Sequence, residues 1–228
     1  MLIDKLLSGA VRLWLQSQVS AIDNLNLQII GKDKQIFRGY IPQVFISATN
    51  AIYQGVQISK LEIVGNNIKF NLPQVVKRKP LQLLEPIQIE IEVFLQEIDL
   101  QKSLSSSLLA AGLTDLWSRF LMPDPASLDP KNELYQWNYL SLSKARLFFK
   151  GNYRKLEYDD LPIGIDTRIE LKNSHTLLLS PIKVITIPEL PITETENLTL
   201  DLGKQVSIAQ LEITEEHLLV RGTITVFP

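Results

Sequence analysis

The side chains of this chain best suited to move a proton near neutral pH are its two histidines, His175 and His217. Both sit beside expected turns, in NSHT and TEEH, where a surface imidazole needs no catalytic account. An enzyme built on this chain would use His175 with Asp166 or Glu170. Glu157, Asp159 and Asp160 form a small acidic cluster able to attract a cation, but three ligands in one turn without a fourth partner are a weak site. A solvated hairpin tip accounts for them better. The chain has no cysteine, which excludes a disulfide framework and any cysteine-ligated zinc or iron–sulfur site. A nucleophile elbow, phosphate loop, dinucleotide fingerprint, paired-histidine metal motif and calcium loop are all absent. The expectation is a protein that is not an enzyme and uses no metal or cofactor.

Charge narrows the partners. With 23 basic and 25 acidic residues, the formal net charge is −2 and the sequence pI about 5.8, so no overall field gathers nucleic acid. The one dense basic cluster is Lys77, Arg78 and Lys79, beside Asn71 to Gln74. It is too small for a nucleic-acid groove and suits anionic lipid headgroups, although a solvated turn is the plainer reading. The opening segment, MLIDKLLSGAVRLWLQSQV, is interrupted by Asp4, Lys5, Ser8, Arg12 and Gln16, so it has no continuous apolar core of a signal peptide. No stretch reaches the roughly 18 to 20 apolar residues of a membrane span. The expectation is a cytoplasmic protein that can lie peripherally on a membrane.

Periodicity supplies the elements. Leu2, Ile3, Leu6, Leu7, Ala10, Val11 and Trp14 recur at helical spacing and predict an amphipathic helix over residues 2–20. Period-two alternation then predicts strands over 24–95. Pro42 belongs at an edge or bulge because it has no amide proton, and Gly65, Asn66 and Asn67 are expected to turn a hairpin between strands 54–64 and 67–72. Asp99 is placed as the cap of a second helix, 99–122, whose apolar residues nearly surround it from Leu108 onward. A proline-rich linker, 123–131, separates it from strands over 134–227. VQISKLEI at Val56–Ile63 recurs as VSIAQLEI at Val206–Ile213, which reads as a duplicated sheet element.

Two helices against nine or ten strands leave either a tightly wrapped sheet or a groove. The residues expected to line such a groove are Leu6, Ala10, Trp14, Leu104, Leu108, Leu113, Trp117 and Phe120, with sheet residues Phe45, Ile58, Ile63 and Ile91. These surfaces lack polar anchors, which suits flexible hydrocarbon better than a shaped polar substrate. A charge at Leu108 is accordingly expected to abolish lipid occupancy.

Three stretches, RGYIPQVFISATNAIYQGVQISKLEIV (38–64), PLQLLEPIQI (80–89) and SLSSSLLAAGLTDLW (103–117), resemble the LmeA-like phospholipid-binding family, particularly its cyanobacterial members. The shared features are structural: glycine turns at Gly39 and Gly55, the apolar strand between them and the leucine-rich helix. The resemblance covers most of the chain, and residues 1–228 are read as one such domain. It implies an α+β half-barrel related to tubular lipid-binding domains, in which a long, curved, mostly antiparallel sheet wraps one or two amphipathic helices. It brings no catalytic residues and no headgroup preference.

The function expected is non-enzymatic binding, exchange or sensing of phospholipid, or another acyl lipid, at a membrane surface. Burying hydrocarbon is worth about 0.8 kcal/mol per methylene, on the order of 20 kcal/mol for a diacyl lipid, and the bilayer offers nearly the same, so exchange is favoured over storage. The alternative is an interaction scaffold whose core is filled by its own side chains and which docks a protein partner, or a second copy, by a sheet edge or the first helix.

Overall fold

The computed structural model describes residues 2–77, 79–121, 133–155, 161–185, 193–195 and 197–228. The first half contains α1 (Leu2–Gln18), β1 (Ala21–Ile30), α2 (Asp33–Ile36), β2 (Tyr40–Tyr53), β3 (Val56–Lys69), α3 (Leu72–Val76), β4 (Ile87–Gln96), α4 (Glu97–Ser103) and α5 (Ser107–Leu121). Among the described residues the second half contains only strands: β5 (Glu133–Ser143), β6 (Arg146–Lys155), β7 (Leu161–Asn173), β8 (Thr176–Ile185), β9 (Thr193–Thr195), β10 (Leu198–Asp201), β11 (Val206–Ile213) and β12 (His217–Val226). The antiparallel strands form two open sheets, one in the order β1, β2, β3, β4, β12, β11 and the other β10, β8, β7, β6, β5, with β9 beside β8. This is the mostly antiparallel α+β architecture that the alternation and the family resemblance imply.

Alternation becomes two continuous faces in the first sheet. Directly paired residues share a face, and one row runs Leu27, Ile46, Ile63, Ile91, Gly222, Ile208 across all six strands. The adjacent row on the opposite face runs Asn26, Ser47, Glu62, Glu92, Arg221, Gln210. That polar row is tied together by Lys60 to Glu62 at 2.6 Å and Arg221 Nε to Glu92 at 2.6 Å. The hydrogen bonds to these carboxylates hold Lys60 and Arg221 above their ordinary pKa values.

The tight turn of this sheet lies at Gln54 and Gly55, both with positive φ, as a two-residue hairpin between Tyr53 and Val56. The hairpin expected at Gly65 to Asn67 does not form; β3 runs straight through it. Asn67 does take the left-handed conformation, at φ 55°, but as a kink within the strand after which the buried position moves from Gly65 to Ile68. Pro42 lies just beyond the last β1 pair, Ile30 with Gln43, where no partner needs its missing amide proton.

The helix expected over 99–122 is two helices. Ser103 Oγ donates to the Asp99 carbonyl at 2.6 Å and accepts from the Gln57 amide at 2.8 Å, while Ser106 Oγ accepts from the Leu109 amide at 3.1 Å and starts α5 as its cap. Asp99 serves in the first turn of α4, its carboxylate accepting from the Gln96 amide at 3.1 Å. The proposed linker, 123–131, lies outside the described residues.

α4 joins the sheets. Asp99 and Ser103, four residues apart, bond Ser59 and the Gln57 amide of β3. Glu97 and Gln101, also four apart on another face, accept from the Leu142 amide at 2.7 Å and the Leu140 amide at 3.0 Å along the free edge of β5. The two sheets meet again at β11, where the Ala145 amide donates to Ile213 and the Ile208 amide to Ser174.

The repeated octapeptide has a structural counterpart. Val56–Ile63 belongs to β3 and Val206–Ile213 to β11 of one sheet, with β4 and β12 between them. Leu61 pairs with Val93, Leu211 pairs with Val220, and Val93 pairs with Val220. A local two-fold axis through the valine pair therefore relates the two copies.

Candidate functional site

Two separate cores lie under the helices. α1 covers the apolar face of β1 to β3, burying Leu7 and Val11 against Val44, Ile46, Ile68 and Phe70, while α2 and α3 close the end with Ile36 and Val75. α5 covers the second sheet, burying Leu113 and Leu116 against Leu140, Phe149, Ile165 and Ile182. Under α5 the packing is incomplete and leaves a cavity of about 290 Å³.

The cavity is built from short-range spacings. Leu109, Gly112, Leu113 and Leu116 form one stripe of α5, at i, i+3, i+4 and i+7. The opposite wall is made of period-two pairs, Leu147 with Phe149 on β6, Thr167 with Ile169 on β7 and Leu198 with Leu200 on β10, joined by Leu179 on β8. Thr167 is the only polar side chain in this lining, and its hydroxyl donates to the Arg168 carbonyl at 3.1 Å. The walls thus offer dispersion contacts and no hydrogen-bonding group to orient a polar substrate. Gly112 is exposed, and a Cβ added to it would meet nothing within 4 Å, which places a mouth of the cavity beside it.

A strip of the first sheet adjoins this core. Ile89, Ile91, Val93, Val220 and Ile224 are half-buried on its apolar face and belong to neither core. Leu211 and Leu218, on the neighbouring part of that face, pack against the α5 core.

The structure distributes the residues expected to form one groove. Leu104 and Leu113 are buried in the α5 core, and of these two Leu113 lines the cavity. Ala10 and Ile63 pack in the α1 core, Ile91 lies on the half-buried strip, and Ile58 is half-buried opposite Ala51. Three placements are corrected. Phe45 follows Val44 and precedes Ile46 in β2, so it points to the polar face and is exposed. Leu108, in the first turn of α5, lies off the cavity stripe and is 51% exposed. Trp14 continues the stripe of Leu7 and Val11 along α1 but stands 36% exposed outside the α1 core. The side chains of Leu6, Trp117 and Phe120 lie outside the described set, although their positions fall on α1 and α5. Lys77 and Lys79 are exposed, and Arg78 is outside the described residues.

The second-half wall was absent from the expected lining. Its alternation was visible in the sequence, but periodicity does not say which helix covers which sheet.

The enzymatic arrangement is not assembled. Asp166 pairs with Lys183 along the strand and binds Arg146 at 2.7 Å, whereas His175 sits in the turn closing β7 and β8, roughly 25 Å away at the usual strand rise. Glu170 is in an ion pair with Arg168 at 3.3 Å. Glu157, Asp159 and Asp160 fall outside the described residues.

An apolar cavity of this kind recurs in unrelated proteins and does not name a family by itself. A family model described as LmeA-like phospholipid-binding matches residues 2–223, nearly the whole chain. The chain belongs to that family. Membership in the LmeA-like family makes this a lipid-binding fold, and the family is not a known enzyme family. No curated protein and no solved structure gives a significant match. Among the described residues of this LmeA-like chain, no helix is long and apolar enough to cross a membrane.

Proposed function

We propose that this LmeA-like protein takes an acyl chain into the cavity beneath α5 and exchanges or senses phospholipid at a membrane surface, as one domain and without catalysing a reaction on the lipid. The observation that carries this reading is the cavity itself, about 290 Å³, walled by leucine, isoleucine and phenylalanine and with its one hydroxyl already bonded to a carbonyl. Counting a methylene at about the 30 Å³ that a water occupies in the liquid, the space matches about ten carbons of one chain. A second chain would lie along the half-buried strip of Ile91, Val93 and Val220. Of those three, Ile91 was expected in the groove, whereas Val93 extends the role along β4 and Val220 carries it to β12.

The energetics favour transfer. A chain of about ten methylenes gains roughly 8 kcal/mol over water in the cavity, close to what the bilayer returns to it. Small differences in packing then decide which way a lipid moves.

Native mass spectrometry of the purified protein, followed by denaturing extraction, tests the proposal. Extra mass that resolves into phospholipid is expected for the native sequence, and Gly112→Phe, which projects a ring from the cavity stripe, is expected to lose it while remaining folded. A clean polypeptide mass, still clean after incubation with liposomes, would overturn the reading and favour the scaffold alternative. That alternative draws its support from the α1 core, which is filled by its own side chains.

A further inference from the structure

The end of the first sheet that carries α2 and α3 combines exposed apolar side chains with a cluster of exposed cations. Three segments are stitched together there. The Phe70 amide donates to Gly39 at 2.9 Å, the Leu84 amide to Lys69 at 2.9 Å and the Lys79 amide to Gln74 at 2.9 Å, and Phe70 bridges to Leu83. Beneath this end Ile36, Phe70 and Val75 are buried, so its framework is held by core packing.

Its outer surface exposes three large apolar side chains, Phe37 at 60%, Val76 at 54% and Leu84 at 62%. Around them stand five exposed cations, Lys32, Lys34, Arg38, Lys77 and Lys79, none of which makes an ion pair among the described residues. The acids nearby are Asp33 and Glu85, and Glu85 is held by Lys69 at 2.9 Å. A chain with a net charge of −2 therefore gathers unpaired positive charge at one end, next to apolar groups that have no internal use.

We infer that this end is a docking surface for an anionic lipid bilayer: Phe37, Val76 and Leu84 enter the boundary between headgroups and acyl chains, and the cations face the phosphates. The inference rests on the lipid-handling reading above and adds to it the contact and the charge of the membrane. Apolar side chains ringed by cations match a bilayer interface, where both components find a partner at the same depth. A nucleic acid would engage the cations and stack on Phe37 but would give the aliphatic Val76 and Leu84 no flat base to use.

Sedimentation of the full-length protein with vesicles tests this, using phosphatidylcholine alone and phosphatidylcholine mixed with phosphatidylglycerol. Strong binding is expected only with phosphatidylglycerol, and it should fall as salt is raised. Each cation near an anionic surface contributes about fivefold in affinity, so combining Lys32→Gln, Lys34→Gln and Arg38→Gln should weaken binding about a hundredfold. Phe37→Ser should weaken it about tenfold through lost apolar burial. Equal binding to both vesicles, salt-independent binding of the native protein, unchanged binding by the triple variant, or preferential capture by single-stranded DNA would each overturn the inference. Lipid loading from detergent is scored in the same preparations. A triple variant that loads lipid but no longer sediments upholds the docking surface. A native protein that docks but loads no lipid sinks the cavity reading and leaves the docking surface standing.

Discussion

Helices α1 and α5 each lie across the apolar face of an antiparallel sheet, but they meet it with different side chains. α1 brings Leu7 and Val11 down onto Val44 and Ile46, and its seat is closed at one end by Ile36, Phe70 and Val75 from α2, α3 and the strand between them. α5 brings Leu113 and Leu116, but the same stripe also carries Gly112, and the far wall at Leu198 and Leu200 is only half-buried. A glycine on the contact stripe removes a side chain where α1 would place one. No short helix among the described residues closes the α5 seat as α2 and α3 close the other. One missing side chain and one missing cover are enough to turn a packed core into a container, because interiors otherwise pack at crystal density.

The comparison is broken most directly by equal truncations. Leu7→Ala in the sealed core should cost about 2 to 5 kcal/mol, since its neighbours cannot collapse into the space. Leu200→Ala in the cavity wall should cost closer to about 1 kcal/mol, because part of that side chain already faces a void and has fewer contacts to lose. Chemical denaturation of both variants reads the difference. Similar losses would mean that the α5 seat is as tightly packed as the other.

Much of this contrast was legible in the residues and part of it was not. The alternation that predicts strands also predicts their faces: the row from Leu27 to Ile208 and its polar neighbour row are period two carried across six strands. The second-half strands β5 to β12 run from Glu133 to Val226, where the alternation predicts strands over 134–227. The serines of SLSSSLL were readable as a helix break, since Ser103 and Ser106 both use their hydroxyls on the backbone. The partition into two sheets was not readable, because it depends on long-range pairings such as β4 with β12 that no local pattern encodes. The same gap explains the site. Leu113 was found because a helix stripe is local, whereas Leu147, Thr167 and Leu200 meet it only after the sheet has formed. Asn67 shows the reverse error, a left-handed conformation correctly sensed and wrongly taken as a hairpin.

The two helix glycines sharpen the comparison at a smaller scale. Gly9 in α1 and Gly112 in α5 both have open space where a Cβ would stand. Alanine at either site should stabilise the protein by up to about 1 kcal/mol through helix propensity alone. At Gly112 the new methyl also stands on the cavity stripe, so Gly112→Ala competes with an occupant and Gly9→Ala does not. Thermal melts with and without added lipid separate them: the lipid-induced rise in melting temperature should shrink for Gly112→Ala and stay whole for Gly9→Ala. Equal rises would remove Gly112 from the mouth of the container.

The smallest expected effect carries the most pointed test, because it reverses what the sequence pattern implies. Leu108 belongs to the apolar run of α5 and looked indispensable to a groove, yet it stands at the second position of the helix, half exposed and off the stripe of Leu109, Gly112, Leu113 and Leu116. Leu108→Glu removes little buried surface, and a carboxylate in the first turn faces the positive end of the helix dipole, a contribution of about 0.3 to 1 kcal/mol in its favour. The variant should therefore match or slightly exceed the native protein in stability and keep its lipid, as read by denaturation and native mass spectrometry. Loss of lipid at Leu108→Glu would place the acyl chain on the outer side of α5, and the container would then lie between this helix and some other surface.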